Sequence, residues 1–180
     1  MPRRSETTRR GFFAFAREKE GIAAMVELEA GKGKRLEAYV KKCRTQLEAK
    51  GWEDGLSYAA QMFLESVWGP MFEFNFRYLH CGCPLEGRKE VGYVQYFTYL
   101  RRGRRPVVFE VLTHYASNLR LTVEEYETFA EHSEALDSLG YVTIRVTDVE
   151  LDFARRYVSD RVSSALEFSE RYVCEREWAM

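Results

Sequence analysis

The chain has no apolar run near the ~20 residues that a helical bilayer span requires, so no membrane partner is expected. It also lacks an excess of either charge. Twenty-seven Lys and Arg stand against 28 Asp and Glu, for a net charge of −1. Attraction to nucleic acid or to an anionic membrane therefore has to come from a local patch. The N-terminal stretch MPRRSETTRR is basic, but no long apolar region and small-residue cleavage site follow it, which reads against a secretory signal. Cysteine is scarce and scattered, at Cys43, Cys81, Cys83 and Cys174, too few for a disulfide framework. A reducing cytoplasm is the expected location. There is no internal repeat, no low-complexity segment and no flexible linker. What is present is 180 residues, 46% apolar and 31% charged, enough for one folded soluble domain with a real core.

The first half has helical spacing. Phe12, Phe13, Phe15, Ile22, Met25, Val26 and Leu28 suit a first helix, which Gly31-Lys32-Gly33 should stop. A second helix is expected over about 34–50, with Leu36, Tyr39, Val40, Cys43 and Leu47 on one face and Gly51 as its cap. Residues 1–52 then read as a helical hairpin added to a core at 53–180. A third helix should run from Asp54 to Gly69-Pro70. Beyond it Phe72, Phe74, Phe76 and Tyr78 alternate with Glu73, Asn75 and Arg77, a period of two that predicts a strand. EVGYVQYFTYL reads as a second strand and PVVFEVL as a third, joined by a tight turn at Arg102-Gly103. Thr122 with Glu125, and Thr147 with Glu150, are capping boxes that open two further helices. The first of these stops at Gly140, YVTIRV is a fourth strand, and the last helix should run unbroken over about 149–175.

The resulting fold class is α+β with a four-stranded mixed sheet and a long C-terminal helix. From about residue 54 the order is α-β-β-β-α-β. Three stretches carry a likeness: LESVWGPMF, VVFEVLTHYAS and EALDSLGYVTIRVTDVELD. In these the sequence resembles the PD-(D/E)XK nuclease-like proteins, the branch around the very-short-patch repair endonucleases. The likeness covers roughly residues 57–167 and implies a restriction-endonuclease-like core. It also implies a metal-dependent phosphodiesterase site, with magnesium or manganese held by hard oxygen ligands and activating a water. Chains of this kind often accompany mobile elements or defence systems, which is an implication of the resemblance alone.

Resemblance puts the catalytic glutamate at Glu110. A two-residue turn at Arg102-Gly103 pairs Arg101 with Arg104, and counting back along the ladder sets Gln95 opposite Glu110. Gln95 thus stands where an aspartate is expected, and Leu112 where the lysine is expected. Glu90 is a substitute metal ligand, Glu65 an acid from the opening helix, and His114 a general base. The plain reading of Glu110 is a strand residue bonded to its neighbour. Val108 and Leu112 share its face, however, so that face is covered and the carboxylate needs a partner.

HCGC, at 80–83, has no second ligand pair for zinc and reads as a loop with thiols. Arg101, Arg102, Arg104 and Arg105 put four positive charges at one hairpin tip, suited to phosphate contact. Most aromatics follow strand or helix spacing and belong to the core. The first functional reading is a nuclease-fold nucleic-acid-binding protein, on DNA before RNA, with weak or lost cleavage. The alternatives are an active DNA endonuclease and a non-catalytic assembly module, its homodimer or protein partner held through the N-terminal helices.

Overall fold

The computed structural model of the chain describes residues 29–51, 55–85, 93–113 and 121–171. Among these, residues 29–48 form helix α1. It passes through Gly31 and Gly33, so the expected stop there is not a helix end. Both glycines have open space around them, and the helix continues without a packing conflict. The expected apolar stripe is present: Tyr39, Cys43 and Leu47 are buried in the main core. The first expected helix and the basic cluster Arg3, Arg4, Arg9 and Arg10 lie outside the described residues.

Helix α2 begins at Tyr58, capped by the Ser57 side chain, which accepts from the Ala60 N–H at 3.2 Å. It runs as α-helix over Tyr58–Met62, as π-helix over Phe63–Trp68, and ends in a last turn at Gly69–Met71. The wider π segment turns Phe63, Leu64, Val67 and Trp68 inward, all buried. Gly69 is required where α2 ends. A Cβ there would lie 2.6 Å from Cε1 of Phe74 and 2.8 Å from the Leu64 carbonyl oxygen. Gly69→Ala is therefore expected to cost about 1–3 kcal/mol, because a backbone atom cannot yield cheaply. Urea unfolding measures this, and an unchanged midpoint would exclude the clash.

The alternating stretch 72–78 is not a strand. Glu73 and Phe74 have φ of 51° and 58°, left-handed values that no strand contains. The Phe74 N–H is held by the Gly69 carbonyl at 2.8 Å, wrapping the chain back on the end of α2. Aromatic contact outweighs the period-two pattern here. Phe72 stacks on Trp68 at 4.3 Å, Phe76 on Tyr39 at 4.3 Å, and Tyr78 meets Tyr99 edge-on at 6.3 Å.

Four strands form one sheet in the order β1 (Leu79–Cys81), β2 (Val94–Tyr99), β3 (Val107–Leu112), β4 (Val142–Thr147). β1, β2 and β3 pair antiparallel, and β3 pairs parallel with β4. The crossover between β3 and β4 contains helix α3 (Val123–Ser138), opened by the expected Thr122–Glu125 capping box. The Thr147–Glu150 box opens α4 (Asp148–Phe153). A break at Ala154 separates α4 from α5 (Arg155–Arg171), so the single C-terminal helix expected from the sequence is two.

The fold is therefore α+β with a mixed sheet between helices. One face bears Phe97, Phe109, Val111 and Val146 and packs against α1, α2, α4 and α5. The other bears Val94, Tyr96, Val108 and Leu112 and packs against Phe129 and Leu136 of α3. No helix among the described residues is long and apolar enough to cross a membrane.

Candidate functional site

The expected hairpin turn is present, but the ladder behind it is not the one counted from the sequence. The Arg104 N–H bonds the Arg101 carbonyl at 3.1 Å across Arg102 and Gly103, and Gly103 takes φ of 75°. Pairing resumes only at Tyr99 opposite Val107. One residue separates Tyr99 from the turn on one side, and two, Arg105 and Pro106, separate it from Val107 on the other. Proline has no N–H to give to a ladder. The Arg105 N–H goes instead to the Ser169 carbonyl on α5 at 3.3 Å, and the Ser169 hydroxyl donates back to the Arg105 carbonyl.

That one extra residue moves every β2 side chain to the opposite face of the sheet relative to β3. Glu110 is opposite Tyr96, not Gln95, and Gln95 is opposite Val111. The inferred Gln95–Glu110 pair is thus corrected: the two side chains project from opposite faces. Gln95 is buried on the α2 face. Its Oε1 accepts from the Ser57 N–H at 2.8 Å and its Nε2 donates to the Gly55 carbonyl at 2.7 Å. It fastens the start of α2 to the sheet. Glu65 is exposed on α2, also away from the Glu110 face. His114 and Glu90 lie outside the described residues. The expected cleft of Glu65, Gln95, Glu110 and His114 is therefore not assembled from its described members.

Glu110 has a different set of partners. It is 0% exposed, in the middle of β3. The parallel register puts Arg145 of β4 directly beside it. Arg145 donates from Nε at 3.3 Å and from a terminal nitrogen at 3.2 Å, both to Glu110 Oε2. Ser133 of α3 donates to Oε1 at 3.1 Å. Arg145 also lies 4.5 Å over the Phe129 ring, with its side chain half exposed. Its carbonyl accepts from Arg161 of α5 at 2.5 Å, and Arg161 reaches Glu150 at 2.7 Å. The network ties β3, β4, α3 and α5 together.

Burial pushes the Glu110 carboxyl above its ordinary range. The Arg145 charge and the Ser133 and Arg145 hydrogen bonds pull it back, and Asp137 adds a further push upward. Sequence reasoning predicts that a carboxylate on a covered face needs a partner. It does not find Arg145 or Ser133, since those are adjacent only once β3 and β4 are known to run parallel.

This arrangement does not fit a divalent cation. Both Glu110 oxygens are engaged, one by a guanidinium whose charge repels a metal. Among the described residues no three His, Cys, Asp or Glu side chains gather as a ligand set. Leu112 is buried on the same face and offers no donor.

The arginine tip divides in two. Arg101 and Arg102 are exposed. Arg104 is ion-paired with Glu170 of α5. The Arg105 guanidinium donates to the Gly140 carbonyl and lies 5.8 Å over Phe168. Arg101, though exposed, lies 5.5 Å over the Tyr78 ring, so three of the four cations have partners within the fold and Arg102 is the most open of them. No protein-family model matches the sequence, and no curated protein or solved structure is significantly similar to it.

Proposed function

We propose that the chain is a nuclease-like fold that binds nucleic acid, DNA before RNA, without cleaving it. The observation carrying this reading is the Arg145 guanidinium seated on a fully buried Glu110, where a nuclease would need an open carboxylate. The α-β-β-β-α-β order, the mixed sheet and the helices on both its faces agree with the resemblance in the sequence. The exposed pair Arg101 and Arg102, at the tip of the β2–β3 hairpin, supplies the phosphate contacts.

The test has two arms. Incubated with plasmid or single-stranded DNA and magnesium or manganese, the protein is expected to leave the DNA intact. Metal-dependent cleavage that disappears in Glu110→Gln would overturn the non-catalytic reading. In the second arm, binding to a short DNA duplex is followed by fluorescence anisotropy at rising salt. Arg101→Ala with Arg102→Ala should make the log–log salt slope shallower by about 1.8, roughly 0.9 for each phosphate that is no longer neutralised. Its unfolding temperature should change little, because both side chains are exposed and the Arg101 contact with Tyr78 is a surface one. Arg104→Ala and Arg105→Ala should instead lower stability, through the missing ties to Glu170 and Gly140. Binding unaffected by the Arg101/Arg102 change would remove the tip from the interface. A concentration-dependent dimer without DNA affinity would favour assembly instead.

A further inference from the structure

The packing of α1 on edge strand β1 brings two thiols together. The Tyr39 hydroxyl donates to the Leu79 carbonyl at 3.0 Å, and the Tyr39 ring lies flat on Phe76. From that anchor, four residues along the helix advance about 6 Å. Two residues along a strand advance about 6.6 Å, on the same face. The matched advance sets Cys43 against Cys81. One turn before Tyr39, Arg35 donates to the Glu73 carbonyl at 3.2 Å, so the two segments run alongside each other, and Cys43 and Cys81 both pack in the main core within interaction range of each other and of Tyr39. Cys43 is fully buried, while Cys81 is partly open to solvent.

Neighbouring Cys83 is not an equivalent partner. Gly82, with φ of 107°, turns the chain between them. Cys81 packs against the main core and Cys83 packs with Tyr96 and Val108 on the other face. The C-x-C spacing, which in the sequence has no clear use, thus splits into one thiol for each side of the sheet.

We propose that Cys43 and Cys81 are an oxidation site that closes to an intramolecular disulfide when the protein meets hydrogen peroxide. The accessible Cys81 sulfur attacks the peroxide, the O–O bond breaks, and Cys81 becomes a sulfenic acid as one water leaves. The Cys43 sulfur then attacks the Cys81 sulfur. The S–O bond breaks, and the departing hydroxide takes the Cys43 proton as a second water. Two thiols and one peroxide give one disulfide and two waters. The neighbouring Cys81 side chain, with the Lys42 charge, holds the Cys43 thiol below its ordinary value against the upward push of burial, which eases loss of its proton as the sulfur attacks.

Oxidation of the full-length reduced protein with equimolar hydrogen peroxide tests this. Non-reducing proteolysis and mass spectrometry should yield a peptide pair joined through Cys43 and Cys81, reversed by dithiothreitol. The oxidised protein should unfold about 5 °C or more above the reduced one, because the link restrains the unfolded chain. Cys83→Ser should still form the link, and Cys81→Ser should not. Cys81 carried on to sulfinic acid without a cross-link would overturn the proposal. A Cys81–Cys83 link in its place would do the same. Neither result depends on a variant folding, since both are read on the native sequence.

Discussion

Arg145→Met should destabilise the protein by on the order of 3 kcal/mol, while Glu110→Gln should cost about 1 kcal/mol or less. The asymmetry comes from exposure. Glu110 is wholly buried, whereas half of the Arg145 side chain reaches solvent. Removing Arg145 strands a carboxylate in an apolar layer beside Val108, Leu112 and Phe129. Removing the Glu110 charge leaves a guanidinium that can turn outward to water, and the amide still accepts from Ser133. For a chain of this size the Arg145 loss corresponds to a fall of roughly 6–12 °C in unfolding temperature. Thermal unfolding of both variants at neutral pH decides it. Equal losses, or a larger one for Glu110→Gln, would mean that the pair is not organised as described.

The pH dependence follows with a definite sign. Burial raises the Glu110 carboxyl in the folded state above its ordinary value of 4.5, so the folded protein holds that proton more tightly than the unfolded chain. Its contribution to stability is therefore full below that ordinary value and is lost as pH rises through the folded one. In Arg145→Met the strongest downward pull is gone, and the window of loss extends further upward. The deficit of the variant relative to the native protein should shrink as pH falls from about 7.5 to about 5. A deficit independent of pH would point to weakened packing on Phe129 rather than to the stranded carboxylate.

Which features the sequence disclosed depends on the range of the forces that set them. Both capping boxes were legible because Thr122 and Thr147 close on partners three residues away. β3 and β4 were legible from their apolar content. The register of β2 on β3 was not, since it depends on Arg105 being held by Ser169, 64 residues on along the chain. The stretch at 72–78 showed ideal alternation, and yet aromatic packing on Trp68 and Tyr39 bends it into turns. At the site, Glu110 declared itself as a buried acid in need of a partner. The partner did not, because Arg145 lies 35 residues away and meets Glu110 only across a parallel pair. The family resemblance carried an expectation of a second acid at Gln95, and a slip of one residue was enough to send that side chain to the other face.

The register can be tested by energetics, through the core on the α2 face. Phe109 is fully buried, 5.3 Å from Phe63 and 5.7 Å from Trp68 between ring centroids. Phe109→Ala should cost about 4 kcal/mol, from the apolar burial it forfeits and the cavity left behind. The unfolding temperature should fall by roughly 8–16 °C. Phe97 is opposite Phe109 on β2 and meets the same Phe63 ring at 5.7 Å. Phe97→Ala combined with Phe109→Ala should therefore be non-additive, with a coupling of about 0.5–3 kcal/mol through the shared ring. A pairing shifted by one residue sets Phe97 across from Val108, facing α3, with no partner in common with Phe109. The two losses would then add to within about 0.5 kcal/mol. Additivity in that cycle would restore Gln95 to the Glu110 face and reopen the case for a metal site; coupling would leave Glu110 with Arg145 and Ser133 alone.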